Sequence, residues 1–112
     1  MRAALLGAVL LVACGGSGPD CPNDLPPSCP SPMPSYKNDV APIITNHCLK
    51  CHSPGGEEAQ IDLTNYPYVF TQRQAVLTQS YSCNMPPDPE PRLDSQERAL
   101  LLGWLVCHAP NN

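Results

Sequence analysis

Cys48, Cys51 and His52 form a C-x-x-C-H run, the most specific chemical pattern in the chain. In a helical turn, positions i, i+3 and i+4 fall on one face, so two sulfurs and an imidazole would point to the same side. Thiols at this spacing can bond two vinyl groups of a porphyrin while the histidine binds its iron. The run therefore predicts one covalent haem c, with thioethers from Cys48 and Cys51 and with His52 as the proximal ligand.

Two other kinds of site share a C-x-x-C run. A thioredoxin-like redox pair should follow a β-strand, and nothing before Cys48 alternates as a strand does. A zinc site needs a second pair of ligands, and Cys83, Cys107 and His108 do not have that spacing. A zinc site assembled from scattered residues remains an alternative.

Methionine is scarce, so a sixth iron ligand can be sought by elimination. The chain has three methionines. Met1 would leave with a signal peptide and Met33 lies in a proline-rich stretch, which leaves Met85. Pro86 keeps Met85 out of helical geometry and stiffens its loop, which suits a side chain held over a metal. A gap-filling core role is the plain alternative for Met85. The rival distal ligands are His47 and His108.

The chain should be all-α, with helices that position these residues. Asp39 can cap a first helix that tolerates Pro42 in its first turn and leads into the C-x-x-C-H run. A middle helix should begin near Pro67. For the last helix, Asp94 and Glu97 predict a capping box. Its apolar stripe should pack on the first helix and comprises Leu100, Leu101, Trp104 and Leu105.

The amino terminus predicts export. Arg2 precedes an apolar run from Ala3 to Ala13, which has the layout of a signal peptide and is too short to span a bilayer. Leu-Val-Ala before Cys14 resembles the lipobox of bacterial lipoproteins, which implies cleavage after residue 13 and a lipid on Cys14. An ordinary cleaved signal is the alternative. Gly15 is not the acidic residue that retains familiar lipoproteins in the inner membrane, so the outer membrane is expected.

Prolines crowd the stretch that follows, so residues 14–35 are predicted to form an extended tether. The folded domain should then occupy residues 36–112 and is too small for apolar burial alone to stabilise it well. The net charge of −4 disfavours a nucleic-acid partner. No nucleophile beside a base and no phosphate loop is apparent in the sequence, which favours a protein that is not an enzyme.

Four cysteines remain after the lipid and the C-x-x-C-H run are assigned: Cys21, Cys29, Cys83 and Cys107. In an oxidising compartment they should form disulfides. Three pairings are possible and the sequence does not choose among them. We favour Cys21 with Cys29 and Cys83 with Cys107, because each pair then lies within one segment. Unpaired or intermolecular cysteines are the alternative.

As a set, Cys48, Cys51, His52 and Met85 and the order of the helices resemble class I mono-haem c-type cytochromes, over about residues 36–110. The resemblance implies a small cytochrome c-like fold of three to four helices around the haem, with His52 and Met85 as axial ligands. The pair Cys83 and Cys107 departs from the general family pattern and is similar to a variant in which the Met loop is bridged to the last helix.

The resemblance also implies a function: one-electron transfer by an exported, lipid-anchored carrier at the periplasmic face or cell surface. Its partners would be redox proteins and, through the lipid, a membrane. Three alternatives stay open. These are a haem sensor or small peroxidase-like protein, an electron-delivering subunit of a larger redox enzyme, and a haem-free structural lipoprotein stapled by disulfides.

Overall fold

The computed structural model describes residues 21–112, which form four α-helices and no strand. A π-helical turn, Tyr36–Val40, runs into α1, Ala41–His47. The others are α2, Tyr66–Thr71, α3, Arg73–Tyr81, and α4, Ser95–Val106. The all-α prediction is confirmed for this part of the chain. The predicted signal peptide, the lipidation of Cys14 and the first part of the predicted tether lie outside the described residues.

The first helical segment begins one turn earlier than predicted. Ser35 is its cap, because the Ser35 hydroxyl accepts a hydrogen bond from the backbone N–H of Asn38 at 3.1 Å. Asp39 was expected to be the cap and is not. Its carboxylate instead accepts from the backbone N–H of Ser35 at 2.7 Å. The Ser35 hydroxyl and the Asp39 carboxylate thus accept from the N–H groups of Asn38 and Ser35, as in a capping box whose acidic residue lies one position later. Pro42 lies in the first turn of α1, as predicted.

The single middle helix that was predicted is two helices, α2 and α3, which meet at Gln72. Pro67 lies in the first turn of α2, as expected, behind an Asn65 cap. The Thr71 hydroxyl donates to the Pro67 carbonyl at 2.9 Å, and such back-bonding weakens and bends a helix. The N–H of Gln72 is shared between two carbonyls, a common geometry where a helix ends.

Helix α4 contributes more buried apolar side chains than any other helix of the described residues, and its predicted capping box between Asp94 and Glu97 is present. Trp104 is fully buried, and its indole N–H donates to the Pro110 carbonyl at 2.9 Å. The predicted packing of this helix on the first one is confirmed, since its apolar side chains cluster with Val40 and Ile44. The full buried cluster is Val40, Ile44, Leu63, Val69, Leu101, Trp104, Leu105 and Ala109.

Residues 21–35, predicted as part of a tether, form an arm that is fixed to the helices. Disulfides join Cys21 to Cys83 and Cys29 to Cys107. Gly103 is buried in α4 beneath the arm, and a Cβ there would lie 2.9 Å from a ring carbon of Pro30. Only glycine lets the arm come so close. The arm therefore belongs to the folded unit.

Candidate functional site

A cleft of about 340 Å³ brings the four predicted site residues together. Cys48, Cys51 and His52 line it from the turn after α1, and Met85 lines it from the loop after α3. The apolar part of the lining comes from Ile61, Leu63, Ala75, Val76 and three prolines, Pro86, Pro87 and Pro91. Sulfur and imidazole groups that are far apart in the sequence therefore share one apolar site.

The C-x-x-C-H run forms a helical turn at the end of α1, as predicted. The N–H groups of Cys51 and His52 donate to the carbonyl of Cys48 at 3.2 and 2.9 Å. Gly56 lies against this turn, where a Cβ would lie only 2.4 Å from the carbonyl oxygen of Cys51. The N–H of Glu58 donates to that same carbonyl at 2.9 Å. The loop after His52 is thus held closely to the turn, and any side chain at residue 56 would displace it.

His52 is oriented by a backbone carbonyl. Its Nδ1 lies 3.0 Å from the carbonyl oxygen of Ile61, which can only accept, so Nδ1 carries a proton. In the neutral imidazole the lone pair is then on Nε2. The N–H of Leu63 also donates to the carbonyl of His52 at 2.9 Å. These bonds define both the tautomer and the backbone position of His52.

The thiols of Cys48 and Cys51 are free and half-buried. Burial raises the pKa of the Cys48 thiol to about 11, and the neighbouring Cys51 contributes to the increase. Cys48 is therefore almost wholly protonated at neutral pH. A protonated thiol is a weak nucleophile, so Cys48 is poorly suited to be the attacking group in thiol catalysis.

Met85 follows the end of α3 and is 36% exposed. Its backbone N–H donates to the Gln79 carbonyl at 3.0 Å. Met85 also borders a second, smaller cavity of about 170 Å³, which Pro22 of the arm and Leu93 help to line. Met85 thus stands between the cleft and the region where the arm meets the loop.

An ion pair at the cleft joins the C-x-x-C-H turn to the Met85 loop. Nζ of Lys50, inside the C-x-x-C-H run, lies 2.5 Å from Oε1 of Glu90, which follows Met85 in the same loop. Lys50 is largely exposed, so water and salt weaken this pair. The hydrogen bond to Glu90 raises the pKa of Lys50.

The two rival ligands lie in different places. His47 lines the cleft, but its Nε2 lies 2.6 Å from Oε2 of Glu97, so its ring is already engaged. His108 is exposed just after α4 and does not line the cleft.

The prediction of one covalent haem c is contradicted. Within residues 21–112, no group of three or more His, Cys, Asp or Glu side chains is placed to hold a metal ion. The bonds that the described cysteines form are two disulfides, while Cys48 and Cys51 remain thiols.

All four remaining cysteines are in disulfides, as predicted, but the favoured pairing was wrong. Cys21 bonds Cys83, and Cys29 bonds Cys107, so each disulfide joins the arm to the helical domain. The favoured pairing assumed that the arm and the domain were separate segments. Because the arm packs against the domain, Cys21 lies next to Cys83 and Cys29 lies next to Cys107, although the members of each pair are far apart in the sequence.

Sequence reasoning missed Arg98. It is 7% exposed, and its guanidinium donates to the Asp24 carboxylate at 2.9 and 2.7 Å. A signal was available, because residue 98 lies three positions before Leu101 and seven before Leu105, on the buried side of α4. An arginine on that side needs a partner carboxylate, although its position gives no indication that Asp24 is the partner.

No protein-family model, curated protein or solved structure matches this chain. Within residues 21–112, the helices are too short or too polar to cross a membrane.

Proposed function

We propose that the chain is an exported carrier of single electrons, and that its redox-active group binds in the cleft between the C-x-x-C-H turn and Met85. The observation that carries this proposal is the meeting of Cys48, Cys51, His52 and Met85 in one apolar cleft. Sulfur and imidazole groups are able to bind and tune redox centres. Covalent haem c is not part of the proposal.

The shape and lining of the cleft support binding of a small molecule. Ligand sites are concave, mostly apolar and equipped with a few polar groups that orient the ligand. Here Ile61, Leu63 and Val76 supply the apolar part, and His52, in a defined tautomer, supplies a polar group. The cleft therefore suits a redox-active group with a largely apolar body.

Electron transfer suits this site better than thiol chemistry. A thiol–disulfide oxidoreductase needs an attacking thiolate, and the pKa of Cys48, about 11, keeps that thiol protonated. The disulfides Cys21–Cys83 and Cys29–Cys107 tie the arm to the domain, which favours a rigid binding site.

The helix order supports a cytochrome c-like arrangement as the finer description of the fold. Helix α1 leads into the C-x-x-C-H turn, and the Met85 loop lies between α3 and α4. Helix α4 packs on the π-helical turn that leads into α1, where Trp104 contacts Tyr36. This likeness concerns the order of the helices and not the cofactor. In the same proposal Cys14 carries a lipid, the periplasmic face of the outer membrane or the cell surface holds the protein, and redox proteins are its partners.

A structural lipoprotein without a redox group is the second candidate. The two disulfides favour it, because they stabilise a small exported domain that has a limited core. The two candidates differ in one measurable property, the number of electrons that the native chain takes up.

The test is a reductive titration of the full chain, purified from an exporting host without denaturation and monitored by absorption. We expect reversible uptake of one electron per chain. Ala75→Trp should abolish it, because the indole would fill the cleft that Ala75 lines. Ala99→Trp places the same side chain on the exposed surface of α4 and should leave uptake unchanged.

Two results would contradict the carrier proposal. Zero uptake by the native chain favours the structural lipoprotein. Uptake of two electrons that is lost on replacing Cys48 and Cys51 with serine would identify a dithiol couple instead.

A further inference from the structure

We infer that Asp24 and Arg98 are positioning residues for Met85. Together they fix the last turn of α3, and a backbone hydrogen bond attaches Met85 to that turn beside the cleft. The functional meaning of this inference rests on the proposed role of Met85 in binding a redox group. The geometry itself does not depend on that role.

Arg98 acts as a cap supplied by another helix. The carbonyls of the last helical turn lack partners within their own helix. Nη1 of Arg98, from α4, donates to the Ser80 carbonyl at 2.8 Å, and Nη2 approaches the Tyr81 carbonyl at 3.4 Å. One planar guanidinium thus contacts two adjacent carbonyls at the end of α3, which the point charge of a lysine could not do.

Met85 is attached to that same turn. Its N–H donates to the Gln79 carbonyl at 3.0 Å, directly before the two carbonyls that Arg98 contacts. Cys83, which lies between the end of α3 and Met85, donates its N–H to the Ser80 carbonyl at 3.1 Å. Nη1 of Arg98 also lies 3.5 Å from the Cys83 sulfur. The backbone from residue 79 to residue 85 is therefore folded around the guanidinium.

Asp24 holds the guanidinium in place. Its two carboxylate oxygens accept from Nε and Nη2 of Arg98 at 2.9 and 2.7 Å, a two-point geometry that fixes both position and plane. The Arg98 side chain is only 8% exposed, so its charge requires a nearby counter-charge. Asn23, next to Asp24, accepts a hydrogen bond from the Tyr81 hydroxyl at the same helix end.

The arm therefore has a role beyond stabilising the fold, which is to position Met85. Through Asp24 it determines how rigidly Met85 is presented to the cleft. Loss of the Asp24 carboxylate should release the end of α3 and let Met85 move, while the core around Trp104 stays packed.

The test is carbon-13 methyl NMR of methionine in the exported chain, in which Met33 and Met85 remain once the predicted signal peptide is removed. Met85→Leu assigns the Met85 signal. In Asp24→Asn we expect that signal to shift and its order parameter to fall by roughly a third, toward the flexible range. Met33, already 48% exposed on the arm, is an internal reference for mobility of the arm as a whole.

Asp88→Asn is the matched control. It removes the same charge closer to Met85 in sequence, from an exposed position in the Met85 loop. In the Asp88→Asn variant, the chemical shift and order parameter of the Met85 methyl group should match those of the wild type. Trp104 fluorescence reports whether each variant is folded. If Asp24→Asn unfolds, Asp24→Glu, which keeps the charge but displaces the carboxylate, should shift the Met85 signal in a folded chain.

A Met85 signal in folded Asp24→Asn or Asp24→Glu that matches the wild type would overturn the inference. So would an equal loss of order at Met33, because the whole arm, and not the end of α3 in particular, would then have become mobile. These measurements need no bound redox group. A chain that takes up no electron but loosens Met85 when Asp24 is replaced would overturn the proposed function alone.

Discussion

Nε2 of His47 lies 2.6 Å from Oε2 of Glu97, so the residue directly before the C-x-x-C-H run is tied to the first turn of α4. Both side chains are partly buried. Glu97 also completes the capping box with Asp94. One carboxylate therefore joins the start of α4 to the end of α1, where the cleft begins.

Glu97→Ala should destabilise the chain by about 1–2 kcal/mol, because it removes a helix cap and a half-buried polar pair at once. Urea unfolding followed by Trp104 fluorescence measures the free energy of unfolding. Gln96→Ala, at an exposed position in the same turn, is the control and should change that free energy by less than about 0.5 kcal/mol. Equal effects of the two substitutions would contradict the dual role of Glu97.

Asp24 should make stability depend on pH in acid. The hydrogen bond and charge of Arg98 hold the pKa of the Asp24 carboxyl below its usual range. A carboxyl whose pKa is lower in the folded state stabilises the fold above its unfolded pKa, about 4. That stabilisation is lost as pH falls through the folded pKa. The stability difference between wild type and Asp24→Asn should therefore be largest near neutral pH and shrink below about pH 4. A difference that stays constant down to pH 2 would rule out this linkage.

The disulfide pairing can be read directly by mass spectrometry. A non-reducing digest of the native chain should yield one cross-linked peptide with Cys21 and Cys83 and another with Cys29 and Cys107. Replacing both Cys29 and Cys107 with serine should cost about 2–5 kcal/mol of stability. A peptide that joins Cys21 to Cys29 would restore the pairing favoured from the sequence and detach the arm.

Cys48 should react slowly with alkylating reagents. With a pKa of about 11, little of its thiol is ionised at pH 8, and the higher nucleophilicity of its thiolate offsets this only in part. We expect iodoacetamide to modify Cys48 roughly 20-fold more slowly than free cysteine. The rate should keep rising with pH up to about 11. A rate that levels off near pH 8 would show an ordinary or activated thiol.

Local patterns in the sequence predicted local structure well. The Asp94–Glu97 capping box and the turn that carries Cys48 and His52 each span only a few residues, and both are confirmed. The prediction of an Asp39 cap was wrong because Ser35, one turn earlier, caps the helix instead. Where two residues could each cap a helix, the path of the preceding chain determines which of them becomes the cap.

The long-range features could not be predicted from the sequence. Asp24 and Arg98 are 74 positions apart, and no spacing rule connects them. The proline content of the arm suggested a free tether, yet Pro30 packs on Gly103, and two disulfides hold the arm in place. Proline makes a segment extended, but burial against a neighbour decides whether it is free.

The most direct test of the account is a potentiometric titration of the native full chain, followed by absorption. A one-electron carrier should show a reversible transition with a Nernst slope of about 59 mV per decade, the value for one electron. Ala75→Trp should abolish this transition and Ala99→Trp should retain it. A native chain without any reversible transition, or with a transition that survives Ala75→Trp, would contradict the account.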